Sequence, residues 1–193
     1  MIEPLASSHV EAITRLHFDS LTGLLGNLGP RAIRAFYQGA IGSRYAIGFV
    51  DIEKGYIGGF VFGSTNPGCL KQALLKRRFI ATTVGVCLGV LRRPSTLASL
   101  CESALPRQQG YGASEPELTY LAVDERQRSG GIGRQLVEHF SQALGERGIL
   151  AYELSADADN HGAIDFYHRL GFLPIGQYTE FGIIRNRYRI ELS

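Results

Sequence analysis

The stretch ELTYLAVDERQRSGGIGRQLVEHF, residues 117–140, runs from strand composition through a glycine-rich turn into helical periodicity, and the fold follows from that succession. Residues 117–123 are an apolar run with Thr119, Tyr120 and Val123, residue types that suit a pleated surface, and they read as the strongest strand of the chain. From Ile132 onward the apolar residues Leu136, Val137, Phe140 and Leu144 recur on one face of a helix, which Gly148 closes. Between strand and helix stand Arg128, Ser129, Gly130, Gly131, Ile132, Gly133 and Arg134. Glycines there let the backbone approach a ligand closely and adopt left-handed conformations. The first amides of the following helix have no carbonyl partners and point at an anion, aided by the helix dipole and by Arg128 and Arg134. The segment therefore reads as a pyrophosphate cradle.

Spacing separates this loop from two other phosphate-binding loops. A Walker loop requires Gly-Lys followed by Ser or Thr, and the chain has no such triplet. A dinucleotide fingerprint requires a third glycine where Leu136 stands, inside a first βαβ unit that is absent here. Arg-x-x-Gly-x-Gly, through Arg128, Gly131 and Gly133, is what remains.

Outward from the loop, Ser8 and Glu11 form a capping-box pattern ahead of Ala12, Ile13, Leu16 and Leu21, which predicts a helix over 8–22. Gly29 and Pro30 open a second helix with Ile33, Phe36, Tyr37, Ala40 and Ile41 on one face, ending near Gly42. Residues 45–50 and 56–63 read as a hairpin joined by the polar stretch Asp51 to Gly55. Downstream, residues 150–155 form a short strand. Asn160 caps a helix carrying Ala163, Ile164, Tyr167 and Leu170, and Gly171 stops it. Two strands follow. The last alternates Ile184, Tyr188, Ile190 and Leu192 with Arg185, Arg187, Arg189 and Glu191, as a sheet with one wet face would. The order predicts an α/β fold without internal repeats.

At these residues the chain resembles the GNAT superfamily of acyl-CoA N-acyltransferases. The loop matches that family's Gln/Arg-x-x-Gly-x-Gly/Ala signature, ELTYLAVDERQR looks like its central strand and exit, and NHGAIDFYHRLGF looks like its second hallmark. Together they cover about residues 115–175. The resemblance implies a mixed, mostly antiparallel sheet flanked by helices, with two central strands splayed apart. It implies acetyl-CoA as co-substrate, with backbone groups of Leu121, Ala122 and Val123 pairing the pantetheine arm and residues 128–134 holding the pyrophosphate. Asn160 would touch the pantetheine or acyl end, and Phe166 and Tyr167 would line the thiol.

Acyl transfer from a thioester needs a neutral amine, an oxyanion donor and a proton for the departing thiolate. The amide of Ala122 or Val123 is the natural oxyanion donor. Tyr167 takes the place of the general acid by similarity, and a phenol is a donor at neutral pH. Glu117 stands where the histone acetyltransferase branch of the family carries a base, while many members use water chains instead. Period two puts Glu117, Thr119, Leu121 and Val123 on one strand face, toward the cofactor. Plainer roles compete: Tyr167 as core, Asn160 as a helix cap alone, Glu117 as a solvated strand start. His161 and His168 read as surface residues of the last helix, and His9, His17 and His139 form no cluster with them. Arg185, Arg187 and Arg189 suit an anionic acceptor and a solvated face equally well.

Bulk properties set the outer limits. The 193 residues suit one domain, and 45% apolar residues with ten Phe and nine Tyr describe a globular chain. Cys69, Cys87 and Cys101 are odd in number and widely spaced, so neither a disulfide framework nor a metal site is expected. The N-terminus lacks the basic start and apolar core of a secretory signal, and the apolar run of residues 79–91 is too short to cross a bilayer. A cytoplasmic enzyme is expected.

Residues 67–110 depart from the compact family pattern, in which the hairpin passes almost directly into the central strand. They carry Lys71, Lys76, Arg77, Arg78, Arg92, Arg93 and Arg107 against Glu102, a local charge of +6 in a chain of +2. Apolar spacing predicts two or three inserted helices, Leu70 to Leu74, Ile80 to Leu91 and Leu97 to Leu105. Packing or an acceptor lid is the first reading of this insertion. Contact with an anionic membrane surface through residues 70–107, or a homodimer contact, comes second. Nucleic acid comes last, since Phe79 is the one stacking ring in the basic stretch. The expected partner is a small-molecule or peptide amine. A CoA-binding sensor or scaffold without catalysis is the alternative function.

Overall fold

In the computed structural model, residues 1–75, 114–180 and 182–192 are described. Strands β1 (Ile2–Pro4), β2 (Ala46–Glu53), β3 (Tyr56–Ser64), β4 (Glu117–Val123), β5 (Ala151–Asp157), β6 (Leu173–Glu180) and β7 (Ile183–Glu191) form one sheet in the order β1-β2-β3-β4-β5-β7-β6. Every pairing is antiparallel except β4 with β5. This is the mixed, mostly antiparallel α/β architecture expected. Helices α1 (Val10–Ser20), α2 (Leu24–Leu28) and α3 (Pro30–Ala40) precede the hairpin, and α4 (Ile132–Gly145) and α5 (His161–Arg169) flank β5.

Two apolar layers hold the sheet between helices. On one face Val10, Ile13, Ile33, Tyr37 and Ala40 of α1 and α3 pack on Val50, Phe60, Phe62 and Ala122. On the other, Leu136, Val137, Phe140 and Leu144 of α4 and Tyr167 of α5 pack on Val61, Leu118, Tyr152, Leu154 and Tyr188. Burying this apolar surface on both faces is what stabilises the sheet.

Several local expectations are corrected. The Ser8/Glu11 capping box does not form: residues 7–9 make a 3₁₀ turn, α1 starts at Val10, and the His9 ring instead accepts the Ala6 amide at 3.1 Å. The three-residue β1 and five-residue α2 had no periodicity to betray them. The polar stretch at Asp51 belongs to β2, because its carboxylate receives the Met1 ammonium at 3.1 Å and the connection narrows to Lys54 and Gly55. Both take positive φ, 51° and 80°, as a two-residue hairpin turn requires.

The expected wet face of the last strand is also overturned. Ile184 is 52% exposed, whereas Arg187 is 1% exposed, so the strand buries a guanidinium and shows an isoleucine to solvent. Arg187 is buried because carboxylates from two other strands surround it.

Residues 67–75 are helical, as expected for the first inserted helix. The expected helices over 80–91 and 97–105, with Cys87, Cys101 and most of the basic cluster, lie outside the described residues. No described helix is long and apolar enough to cross a membrane.

Candidate active site

The sheet divides at its centre. β5 pairs with β4 at Glu117↔Glu153 and Leu118↔Leu154 and then leaves it. Leu121, Ala122 and Val123 pair with Val61, Phe60 and Gly59 of β3, and their other edge faces the opening. Strand partners at this depth normally satisfy such backbone groups, so an edge left by a neighbour is suited to an extended ligand.

A bulge lies beside the fork. Phe62 faces Tyr120 and the next residue, Gly63, faces Leu118, so Thr119 is an extra residue on β4. Gly63 makes this possible: a Cβ there would fall 2.3 Å from the Glu117 carbonyl oxygen and 2.5 Å from the Phe140 ring. The bulge reverses the alternation, placing Leu118, Leu121 and Val123 in the α4 layer and Tyr120 and Ala122 in the α1–α3 layer. The expectation that Glu117 shares a face with Leu121 and Val123 is thereby corrected. Glu117 turns to the side opposite Leu118.

The loop after β4 is built from short-range contacts. Asp124 accepts the Arg126 amide at 2.9 Å and the Tyr56 hydroxyl, and these two hydrogen bonds, the phenol first, hold its carboxyl below the usual carboxylate range. Ser129 and Gly131 take φ of 68° and 81°, two left-handed residues in three, and α4 begins at once with Gly131 as its N-cap. Gly131 offers no side chain to cap this helix and none of the described residues does so, so Ile132, Gly133 and Arg134 present their amides outward. Arg128 and Arg134 stand at the rim, 3.4 Å from Glu125 and 2.8 Å from Glu138. Ser129 and Gly130 line the turn between them.

Gly133 is where three elements meet: a Cβ there would lie 3.3 Å from the Phe166 ring and 3.6 Å from Val123 Cγ2. Phe166 thus joins α5 to the cradle and to the end of β4. Asn160 caps α5, accepting the Ala163 amide at 3.1 Å. Tyr167, 8% exposed, packs edge-on against Phe166 and Phe172 with ring centroids 5.2 and 5.5 Å away. Burial, with a contribution from Tyr152, pushes its phenol well above its ordinary range, so it keeps its proton at any ordinary pH. His161 and His168 are exposed, as expected.

Arg187, Glu153 and Ser155 form a site that composition and spacing did not reveal. Arg187 donates through Nε to Glu153 at 2.8 Å, through Nη1 to Ser155 at 2.9 Å and through Nη2 to Glu117 at 3.2 Å. Tyr178 donates to the same Ser155 oxygen at 3.0 Å. Burial works against the Arg187 charge, but the pull of Glu117 and Glu153 outweighs it and raises its pKa. Arg185 pairs with Asp157 and Glu180, and Arg189 with Glu115, Glu153 and Glu191.

His17 was also missed. It is 1% exposed and sits 2.8 Å through Nδ1 from the Tyr37 hydroxyl, against the rings of Phe60 and Tyr120. Burial pushes its pKa down to about 4, so it is neutral at physiological pH. Its position on the buried face of α1, four residues after Ile13, was the available signal.

Comparison with known proteins agrees with this geometry. The chain is 38% identical over 74 residues to the [ribosomal protein bS18]-alanine N-acetyltransferase of Escherichia coli strain K12, a match covering 38% of this chain and 46% of that one. The enzyme of the same name from Salmonella typhimurium strain LT2 matches to the same extent. The chain thus spans about half the length of the curated relatives it matches. Among solved structures, Ard1 from Thermoplasma volcanium superposes with a TM-score of 0.64 at 19% identity, covering 100% of this chain and 97% of the other. The Escherichia coli ribosomal-protein-S18-alanine N-acetyltransferase superposes with 0.62 at 17%, covering 100% and 94%. These structures share the fold. The sequence pattern of the Acetyltransferase (GNAT) family matches residues 74–172, more than half of the chain. The chain belongs to the acetyltransferase (GNAT) family.

Proposed function

We propose that the protein transfers the acetyl group of acetyl-CoA to a primary amine by direct attack, and that the amine is the N-terminal α-amine of a protein beginning with alanine. The observation that carries the donor half is the fork: β5 leaves β4 after Leu118, beside the outward amides at the start of α4. A flexible arm ending in a pyrophosphate fits that combination of strand edge and helix N-terminus. The acceptor half rests on the relatives, which are named for alanine N-acetylation of a ribosomal protein.

In this reading Leu121, Ala122 and Val123 pair with the pantetheine arm, and the loop Arg128 to Arg134 holds the pyrophosphate. Asn160 and Phe166 border the thiol end. The Val123 amide, on the edge of β4 turned away from β3, stabilises the oxyanion of the tetrahedral intermediate in place of Ala122, whose amide faces β3. Collapse of the intermediate expels the thiolate, which takes the Tyr167 proton. Glu117 accepts the proton of the attacking amine, directly or through water. No covalent enzyme intermediate is formed. The domain is one unit, with the segment at about 67–110 as an insertion, and the enzyme works in the cytoplasm.

The test is an acceptor panel: acetyl-CoA with hexapeptides beginning in free Ala, Ser or Met, an Nα-blocked lysine, glucosamine and spermidine, read by mass spectrometry. Acetylation of the alanine peptide ahead of the rest supports the proposal. Preference for the sugar, polyamine or lysine would contradict the acceptor. CoA binding without turnover of any amine would favour a sensor or scaffold.

A further inference from the structure

We infer that Arg187 is a positioning residue, which holds the Glu117 carboxylate at the fork between β4 and β5 and so fixes where the acceptor amine is met. The inference rests on the reading that Glu117 faces the acceptor.

Register places Arg187 at the dividing point. Glu117 pairs with Glu153, Leu118 with Leu154, and the following residue of β5, Ser155, lies opposite Arg187 of β7. That rung is the first at which β4 is no longer alongside. The Arg187 side chain reaches back across β5 and ties both strands together just below the opening, with donors to Glu153, Ser155 and Glu117.

Chemistry makes the tie specific. A guanidinium offers a planar fork of donors, so three acceptors on two strands fix its plane and are fixed by it. At 1% exposure, water has little room to replace any of them. An ion pair so enclosed is weak ground for net stability, because desolvation offsets attraction, and its attested use is to select one arrangement. Here the arrangement selected is that of Glu117, whose direction the bulge at Thr119 already turns to the α1–α3 side. Glu153 is the second anchor of the same guanidinium, and Arg189, directly opposite Glu153 in the ladder, approaches it at 3.5 Å.

The experiment compares wild type with Glu117→Gln, Arg187→Met, Arg187→Lys and the double variant Glu117→Gln/Arg187→Met, using the best amine of the panel above. kcat and KM for both substrates are measured, with CoA affinity by calorimetry and thermal unfolding of each variant. Arg187→Met is expected to lower kcat with the amine by about tenfold or more, as Glu117→Gln does. CoA affinity should stay within twofold. The double variant should be no slower than Glu117→Gln alone, because residues that act as a unit do not add. Arg187→Lys keeps the charge but cannot reach all three acceptors, and should fall between Arg187→Met and wild type. If Arg187→Met does not fold, the lysine variant carries the comparison, and a wild-type kcat overturns the inference.

Effects of Arg187→Met and Glu117→Gln that multiply, or an Arg187 effect confined to CoA affinity, also overturn it. A slow Glu117→Gln beside an unaffected Arg187→Met removes this inference and leaves the role of Glu117 standing. A Glu117→Gln variant within threefold of wild type removes the role of Glu117 itself, and absence of turnover on every amine removes both.

Discussion

Arg187 of β7 and Glu117 of β4 are joined by a 3.2 Å ion pair that passes over the intervening strand β5, at the rung where the sheet divides. A sequence separation of 70 residues and the one strand β5 stand between them, and both are nearly out of water.

Removing one charge from this cluster should be costly. Arg187→Met leaves Glu117 and Glu153 buried at adjacent positions without their shared cation, a loss of about 3–5 kcal/mol by denaturant unfolding. Replacing all three, as Glu117→Gln/Glu153→Gln/Arg187→Met, should recover most of it. A single variant as stable as wild type would show that the cluster is open to water.

His17 should give the protein a pH-dependent stability separate from the active site. Its folded pKa of about 4 lies below its unfolded value near 6.5, so the unfolded chain binds the proton more readily. Stability therefore falls as pH drops from 6.5 towards 4, by about 3 kcal/mol across that window, and is insensitive to this group above it. His17→Gln should flatten that part of the unfolding curve. An unchanged slope in the variant would assign it elsewhere.

Gly133 should act on the donor substrate. Any side chain there meets Phe166 and Val123 at the mouth of the cradle. Gly133→Val should raise KM for acetyl-CoA about tenfold or more while kcat at saturation changes little. A lowered kcat with unchanged KM would place Gly133 outside the donor site.

Tyr167→Phe should slow kcat by about 10²- to 10⁴-fold, the usual range for loss of a general acid. Because burial holds the phenol well above 10, the wild-type rate should show no alkaline decline from this group up to about pH 10. A decline near pH 8 or 9 that vanishes in Tyr167→Phe would contradict that assignment.

The parts of the fold that were legible are those written in neighbouring residues. Strand β4, the turn at Ser129 to Gly131 and the faces of α4 and α5 each depend on contacts within a few positions, so composition and period sufficed. The bulge depends on Gly63, a glycine in another strand, and Glu117 changes face because of it. Its signal was present, since a glycine within a strand often marks a bulge or close approach. Arg187 suited an anionic acceptor and a solvated face equally well because alternation describes one strand, whereas its burial follows from the register of β5 and β7 against β4. The same limit hid His17, whose partner Tyr37 lies on a different helix.

The central claim is acetyl transfer to an N-terminal amine, and one measurement addresses it most directly. The full-length protein is incubated with acetyl-CoA and a hexapeptide beginning in free alanine and carrying an internal lysine, and the product is sequenced by tandem mass spectrometry. A single acetyl group on the alanine nitrogen, formed with release of one CoA and slowed in Tyr167→Phe, is the predicted result. Acetylation confined to the lysine, or a peptide left unmodified while CoA binds tightly, would contradict it.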